Sequence, residues 1–256
     1  MTIANRTAVV TGAGSGLGRA LCVHLAQDGF SILATDMNHE TAAETIALMP
    51  APNSSRAYCL DVASAESVQS FVESVCDRSV DVLINNAGLQ HVAPIESFPV
   101  EKWKQLIDVM LGGVFAMTQA VLPGMRMRGY GRVINIGSIH SCVASPYKSA
   151  YVAAKHGLLG FSKAVALETA DADITVNTIC PAYIRTPLVD AQINDQAALH
   201  GLSPDEVIDK ILLEPMPKKA FITYEEIVET VRFLLGNHSR NITGQTIVID
   251  GGWTIR

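Results

Sequence analysis

Near its start the chain reads Thr11-Gly12-Ala13-Gly14-Ser15-Gly16-Leu17-Gly18, a glycine-rich segment between an apolar run and a helical pattern. The apolar residues 7–10 predict a short buried strand, and residues 17–27 predict a helix. Glycines let the backbone turn tightly and approach a pyrophosphate, which the free N–H groups of a helix start can bind. The segment therefore predicts a dinucleotide-binding turn, with cofactor contacts at Gly12, Ser15, Gly16, Leu17 and Gly18.

Apolar runs continue to alternate with helical patterns along the chain. The runs at residues 31–35, 80–85, 132–136, 174–179 and 246–249 are continuous rather than alternating, which is typical of parallel strands covered on both faces. Because no composition break interrupts the alternation, we expect one α/β domain over residues 1–256, a Rossmann-type doubly wound parallel sheet. Residues 187–219 carry helical pieces without a strand pattern. We expect a small helical lid there, with a surface helical hairpin as the alternative.

The composition excludes several classes of protein. Hydrophobic residues make up 48 % and charged residues 17 % of the chain, which excludes a disordered protein. The net charge of −6 argues against a nucleic-acid partner, since phosphate binding needs a basic stripe. The longest uncharged stretch, residues 109–125, is interrupted by Gln119 and Pro123 and falls short of the roughly 20 apolar residues of a membrane span.

We therefore expect a cytoplasmic protein with no membrane partner and, since the N-terminal residues lack a signal-peptide pattern, no secretion signal. The sequence shows no clustered metal-ligand pattern. The cysteines form no Cys-x-x-Cys pair, and we interpret them as small buried side chains in a reducing compartment; they are Cys22, Cys59, Cys76, Cys142 and Cys180.

The cofactor class is indicated by Asp36, which ends the second predicted strand. A carboxylate at that place accepts hydrogen bonds from the adenosine ribose 2′-hydroxyl and repels a 2′-phosphate, so the sequence favours NAD over NADP. The alternative interpretation of Asp36 is a simple turn residue.

A catalytic set is indicated by Tyr151 and Lys155, which share one face of a predicted helix. An ammonium group near a phenol favours the phenolate, so the tyrosine can act as a general base. Ser138 follows the strand predicted at 132–136, at the carboxyl edge where ligands bind in doubly wound sheets. Its hydroxyl can hold a substrate oxygen.

Across essentially its whole length the chain resembles the classical short-chain dehydrogenase/reductase family. The matching segments are the turn at 11–18, Asp61-Val62, Asn85-Asn86-Ala87-Gly88, Ser138, Tyr151 with Lys155, and Cys180-Pro181 leading to Thr186. The resemblance implies that Asp61 and Val62 contact the adenine. It also implies cofactor contacts along the dinucleotide and at its nicotinamide end, made by Asn86, Ala87, Gly88, Tyr151, Lys155, Ile184 and Thr186.

Further segments resemble the bacterial branch of that family that oxidises D-3-hydroxybutyrate. They are residues 85–91, 138–141, 144–151, 186–192 and 250–256. This resemblance implies reversible, NAD-dependent oxidation of (R)-3-hydroxybutyrate to acetoacetate, as in ketone-body metabolism, with Ser138 and Tyr151 at the reacting oxygen. It also implies that the substrate carboxylate is bound by Gln90, His140, Lys148 and Gln192. The chemistry of the residues agrees, because a small hydroxy acid needs several donors converging on its carboxylate.

The resemblance also implies a homotetramer. The long helices predicted at 100–127 and 151–169 carry apolar residues beyond one stripe, as expected for helices buried against a partner. Trp253, close to the C-terminus, is a candidate for a contact with a neighbouring subunit.

The chain departs from the family pattern at Met110, Ala182 and Tyr183. Met110 stands where the family usually has an asparagine that organises a water chain from the active-site lysine, and a thioether is only a weak acceptor. The substitution either impairs that relay or leaves it to the backbone carbonyl of residue 110. Ala182 replaces a usual glycine and would be strained at a positive φ. Tyr183 replaces a usual tryptophan and can still wall a pocket for a short alkyl chain.

Two alternatives to the expected function therefore stay open. One is a member of the same family acting on another small hydroxy acid or ketone. The other is a catalytically weak protein that binds the cofactor, which the substitutions at 110 and 182 suggest.

Overall fold

The computed structural model describes residues 6–50, 54–75 and 79–255. They form one seven-stranded, fully parallel sheet in the order β3-β2-β1-β4-β5-β6-β7. The strands are β1 Thr7–Thr11, β2 Ser31–Asp36, β3 Arg56–Cys59, β4 Val82–Asn85, β5 Tyr130–Ile136, β6 Asp173–Pro181 and β7 Thr246–Ile249. The predicted doubly wound fold is confirmed. The strand order reverses between β1 and β4, and a crevice at the carboxyl edge there is where such sheets bind ligands.

Helices connect the strands on both faces. They are α1 Gly16–Gln27, α2 His39–Ala47, α3 Ala65–Ser74, α4 Val100–Ile107, α5 Gly113–Arg128, α6 Ser149–Glu168, α7 Pro187–His200, α8 Pro204–Val207 and α9 Tyr224–Leu235. In β1, Ala8 and Val10 pack into the core on the α1 and α9 side, while Val9 packs into the core on the α3 to α6 side. Successive side chains of a strand point to opposite faces, so a strand buried on both sides needs the continuous apolar run seen in the sequence.

Strand β3 is the element that the sequence pattern missed. It is short, and Arg56 and Cys59 at its ends are exposed. It pairs only with β2 and forms the edge of the sheet. Because β3 is short and its ends are exposed, it lacks the continuous apolar run by which the other strands are recognised.

The helix between β4 and β5 changes its winding close to Met110. Between α4 and α5, residues Asp108–Gly112 form a π-helical turn that contains this methionine. By length and composition, the whole run Val100–Arg128 is apolar enough to cross a membrane, with 44 % of its most apolar window buried. Here it packs against α3, α6 and the sheet, as core helices of α/β proteins do. A π turn inside an α-helix is often a functional feature.

The segment 187–219 contains α7, α8 and a π-helical turn at Ile208–Leu212. The Thr186 hydroxyl accepts the N–H of Val189 and begins α7. Ser203 and Glu206 form a capping box at the start of α8. The segment is therefore helical, as predicted.

The expectation of buried cysteines is only half right. Cys22 and Cys180 are buried, whereas Cys59 and Cys142 are exposed and all four are free thiols. Cys59 ends an edge strand and Cys142 ends a short turn after β5, and both places face solvent. Cys76 lies outside the described residues, as does Arg256 of the C-terminal segment.

Candidate functional site

A cavity of about 270 Å³ opens at the carboxyl ends of β1, β4, β5 and β6. It gathers the predicted site residues from both ends of the chain. Those that line it are Gly12, Ser15, Gly16, Leu17, Asp36, Asn86, Ala87, Gly88, Gln90, Ser138, His140, Lys148, Tyr151, Lys155, Ile184, Thr186 and Gln192. Three predicted cofactor residues lie outside its lining, namely Gly18, Asp61 and Val62.

The glycine-rich turn has the shape that a dinucleotide needs. Gly12 has φ of +64°, and a Cβ on it would lie 2.9 Å from the Cα of Ala87. A Cβ on Gly18 would lie 2.1 Å from the carbonyl oxygen of Gly12. The side chain of Asn86 donates to the carbonyls of Thr11 and Gly12 at 2.9 and 3.1 Å. The turn is thus tied to the loop after β4, and its glycines keep the backbone open to a pyrophosphate. These residues fit a dinucleotide.

Asp36 lies at the adenosine end of this cavity, half-buried at the end of β2. Its carboxylate accepts the backbone N–H groups of Gly14 at 2.9 Å and Asn38 at 3.0 Å. These bonds fix the carboxylate where a ribose 2′-hydroxyl would meet it. Arg19 lies beside the turn, donating to the Gly14 carbonyl and pairing with Glu44 at 3.0 Å. Its charge is therefore partly engaged within the protein.

Ser138, Tyr151 and Lys155 lie together on the opposite wall. The Lys155 ammonium donates to the carbonyl oxygen of Ile136 at 2.7 Å and lies 5.7 Å from the centre of the Tyr151 ring. Burial raises the pKa of the Tyr151 phenol, and the hydrogen bond with Ser138 lowers it. Burial also lowers the pKa of Lys155 to about 8. The hydrogen bond with Ser138 therefore eases ionisation of the phenol.

His140 is held next to this set. Its Nε2 lies 2.8 Å from the Ser145 hydroxyl, and its Nδ1 lies 3.4 Å from the Ser138 hydroxyl. Burial, and then the nearby charges of Lys148 and His156, lower the pKa of His140 to about 3. The imidazole is therefore neutral at pH 7 and offers a single N–H donor.

Lys148 brings a buried positive charge to the cavity. Its side chain is 3 % exposed, and among the ion pairs of the described residues none includes it. Its ammonium donates to the Tyr183 phenol at 3.2 Å, and burial lowers the pKa of Lys148 to about 8. A buried charge without a counter-ion is costly, so Lys148 marks a place for an anion.

The residue before this lysine is strained. Tyr147 has φ of +67°, a left-handed conformation that costs a non-glycine residue of order 1–3 kcal/mol. Its carbonyl accepts the N–H of Ala93 at 3.0 Å. The turn directs the Lys148 side chain into the buried interior while half of Tyr147 stays exposed. Backbone strain of this kind is typical of functional sites.

Two glutamines complete the polar wall. Gln192 lies on α7 and is buried; its amide nitrogen makes no hydrogen bond of ordinary geometry within the described part of the chain, although it lies close enough to the Tyr183 phenol to lower the pKa of that phenol. A buried donor with so weak a partner is typical of a site that binds a water or a ligand. The Gln90 side-chain oxygen accepts the N–H of His91 at 3.1 Å, which fixes the orientation of its amide.

Sequence reasoning missed one aromatic residue of the site. Trp253 stacks on Tyr183 with ring centres 6.0 Å apart and an angle of 26° between the planes. Its ring also meets the edge of His140 at 5.9 Å. A signal was present in Asp250-Gly251-Gly252, because both glycines have positive φ and Asp250 accepts the N–H groups of Gly252 and Thr254. This turn brings Trp253 back over its own chain, whereas the sequence suggested only a contact with a neighbouring subunit.

The substituted positions are well accommodated. Met110 is buried and lines the cavity; its sulfur would lie 3.8 Å from a Cβ on Gly88. Ala182 is not among the described residues with positive φ, of which the non-glycine members are Tyr147 and Lys219. The strain considered for an alanine at 182 is therefore absent, and its N–H donates to the Ile249 carbonyl at 2.8 Å.

Comparison with known proteins agrees with this architecture. The family model described as short chain dehydrogenase matches residues 6–197. The chain is 42 % identical to a D-beta-hydroxybutyrate dehydrogenase of Rhizobium meliloti over 97 % of this chain and 98 % of that protein. It is 38 % identical to a protein of the same name from Cupriavidus necator, over 97 % of each chain.

A solved structure shares the fold over nearly the whole length. A variant of actinorhodin polyketide ketoreductase, crystallised with NADPH, superimposes with a TM-score of 0.92 at 31 % identity, covering 97 % of each chain. The family model covers more than half of the chain, and the relatives match it from end to end. The chain belongs to the short-chain dehydrogenase family.

Proposed function

We propose that the protein is an NAD-dependent dehydrogenase that interconverts (R)-3-hydroxybutyrate and acetoacetate. The observation that carries the substrate class is that one cavity is lined by a buried Lys148 ammonium without a counter-ion and by the weakly satisfied amide nitrogen of Gln192. A small carboxylate satisfies both groups at once. The names of the two bacterial relatives support this choice within the family.

The donors orient the acid before the chemistry. Lys148, Gln90, Gln192 and the neutral His140 would hold the carboxylate, so that the hydroxyl at C3 lies between Ser138 and Tyr151. Fixing the reacting groups in this way removes a large part of the entropic barrier. The aromatic pair Tyr183 and Trp253 supplies an apolar wall for the carbon chain.

Tyr151 acts as the general base. Its phenolate accepts the hydroxyl proton of the substrate, while the Ser138 hydroxyl donates to the same oxygen and stabilises the charge that develops there. When bound, an oxidised nicotinamide supplies the hydride acceptor and a positive charge that further favours the phenolate. Lys155, which lies beside Ser138 and Tyr151, would bind the nicotinamide ribose.

We assign NAD rather than NADP on Asp36, since its fixed carboxylate would repel a 2′-phosphate. The predicted cofactor contacts of Asp61, Val62 and Gly18 belong to the same proposal.

We further propose that residues 187–219 act as a lid within a single domain, because α7 carries Gln192 into the cavity. We also propose that the protein is a homotetramer. We propose a cytoplasmic location, where free thiols such as Cys59 and Cys142 stay reduced.

The direct test is NADH absorbance after mixing the enzyme with NAD and (R)-3-hydroxybutyrate, beside the (S) acid and NADP. We expect NADH only with the (R) acid. Lys148→Ala and Gln192→Ala should each lower kcat/KM, and the substrate assignment fails if both leave the rate unchanged.

The alternative substrate class is a ketone without a carboxylate, as the ketoreductase neighbour suggests. A carbonyl panel with and without carboxylates separates the two classes.

A further inference from the structure

A second cavity, of about 340 Å³, lies against the first. It is formed by the loop at 145–147, by α7, by the π-helical turn after α8 and by the C-terminal Trp253. Its apolar lining consists of Val92, Pro146, Ile211, Pro215 and the faces of Tyr183 and Trp253.

Only a thin partition separates the two cavities. Lys148 and Tyr183 line both of them, and the partition is closed by the 3.2 Å contact between the ammonium and the phenol. The Tyr183 ring is stacked on the Trp253 ring. A passage between the two cavities would therefore open between the Lys148 and Tyr183 side chains.

The contact in the partition responds to the acid itself. The Tyr183 phenol is a neutral acceptor, and burial raises its pKa further, so it offers the Lys148 ammonium a hydrogen bond but no opposite charge. A carboxylate offers the ammonium both a hydrogen bond and an opposite charge. Arrival of the substrate carboxylate therefore draws Lys148 away from Tyr183 and frees the phenol.

The chemistry of the second cavity favours an uncharged chain over a second anion. Lys210 is already paired with Glu206 at 2.7 Å, and Lys148 presents its aliphatic stem to this side when its ammonium turns to the first cavity. Ser145, Gln196 and His200 also line the cavity, but most of its exposed surface is apolar and comes from proline, valine, isoleucine and aromatic rings. An alkyl chain that reaches them gains about fourfold in affinity for each methylene buried.

We propose that the second cavity receives the alkyl chain of longer (R)-3-hydroxy acids, which pass between Lys148 and Tyr183 while the carboxylate and C3 stay in the first cavity. This inference rests on the proposed function. It makes the enzyme a dehydrogenase of short and medium-chain 3-hydroxy acids rather than of the four-carbon acid alone.

The test compares kcat/KM for (R)-3-hydroxybutyrate and (R)-3-hydroxyoctanoate in three forms of the protein. We expect the eight-carbon acid to react no more than about tenfold more slowly than the four-carbon acid in the unmodified enzyme, because burial of its additional methylenes favours binding. Ile211→Trp fills the second cavity and should lower kcat/KM for the eight-carbon acid at least about tenfold, while changing the four-carbon acid less than about twofold. Ile211→Ala, at the same position, should leave both acids reactive.

A second readout is independent of turnover. Plain octanoate lacks the reactive hydroxyl, so its dissociation constant can be measured by calorimetry, and Ile211→Trp should weaken its binding about tenfold. Should that variant fail to fold, Val92→Phe fills the same cavity from another residue of its lining.

The inference is overturned if (R)-3-hydroxybutyrate is oxidised but octanoate does not bind and (R)-3-hydroxyoctanoate does not react. It is also overturned if the filling variant slows both hydroxy acids equally. If (R)-3-hydroxybutyrate itself does not react, the proposed function fails first.

Discussion

The ammonium nitrogen of Lys148 lies 3.2 Å from the phenol oxygen of Tyr183. This contact gives a buried cation one neutral acceptor in place of a carboxylate. The ammonium is thereby kept in position without being neutralised, so its charge remains available to an incoming acid.

Removing the phenol oxygen should strengthen substrate binding. We expect Tyr183→Phe to lower KM for (R)-3-hydroxybutyrate about tenfold or more with kcat little changed, because the ammonium then leaves no acceptor when it turns to the carboxylate, and a hydrogen bond to a charged group contributes about 1.5–3 kcal/mol. Steady-state kinetics at pH 7 measure this. Tyr224→Phe is the matched control, since its phenol donates to the Arg185 carbonyl at the surface. A fall in kcat with KM unchanged would contradict the assigned role.

The pH dependence of KM should report the same lysine. Burial lowers the pKa of Lys148 to about 8, so the ammonium is present below pH 8 and is lost as the pH rises through that value. The acid is a carboxylate throughout this range, because unperturbed carboxyl groups titrate near pH 4. KM should therefore be constant between about pH 6 and 7 and rise up to about tenfold per unit well above pH 8.

Lys155 titrates in the same range, since burial lowers its pKa to about 8 as well. Lys148→Met separates the two groups. In that variant KM should start high and stay flat with pH, while kcat keeps its own pH profile. A KM that still rises above pH 8 in Lys148→Met would assign the dependence to another group.

Cofactor choice should follow the carboxylate of Asp36. We expect Asp36→Ala to lower kcat/KM for NAD about tenfold or more and to improve NADP, because the variant loses the ribose contact and the repulsion of a 2′-phosphate. The measured quantity is the ratio of kcat/KM for the two cofactors. Asp171→Ala removes an exposed carboxylate that pairs with Arg126 and should not alter the ratio. An unchanged ratio in Asp36→Ala would show that NAD preference arises elsewhere.

Position 110 should affect rate and stability in opposite directions. Met110 is 1 % exposed within the π-helical turn, and an asparagine there can both donate and accept a hydrogen bond to an ordered water. We expect Met110→Asn to raise kcat several-fold and to lower the free energy of unfolding by about 1–3 kcal/mol, the usual cost of burying an amide without full pairing. Met127→Asn, at an 84 % exposed site, is the control. No gain in kcat would indicate that a backbone carbonyl already serves the relay.

The sequence was most informative where burial on both faces dictates composition. The apolar runs of β1, β4 and β6 could be predicted because a sheet covered on both faces favours apolar side chains, even though β6 also buries Asn177 and Thr178. The glycine turn could be placed because a side chain at Gly18 would strike the Gly12 carbonyl. Strand β3 and the π-helical turn at 108–112 leave no comparable pattern, since neither requires a fixed spacing of apolar residues.

The residues of the site also differ in how far the sequence could predict them. Ser138, Tyr151 and Lys155 could be identified from spacing along one strand end and one helix. The stacking of Trp253 on Tyr183 could not, because it depends on how the C-terminal turn meets a residue distant in the chain. The exposed thiols of Cys59 and Cys142 were missed for a related reason, because the residue type alone does not decide whether a cysteine is buried or exposed in the fold.

The backbone hydrogen bond from Ala93 to the Tyr147 carbonyl has a consequence for redesign of the enzyme. It couples the loop that carries Gln90 to the loop that carries Lys148, so two carboxylate donors from distant parts of the chain share one support. An insertion or a proline at 93 would therefore disturb the lysine as well as the glutamine. Libraries intended to alter which acid is recognised should vary the two loops together, because independent changes in either would be non-additive.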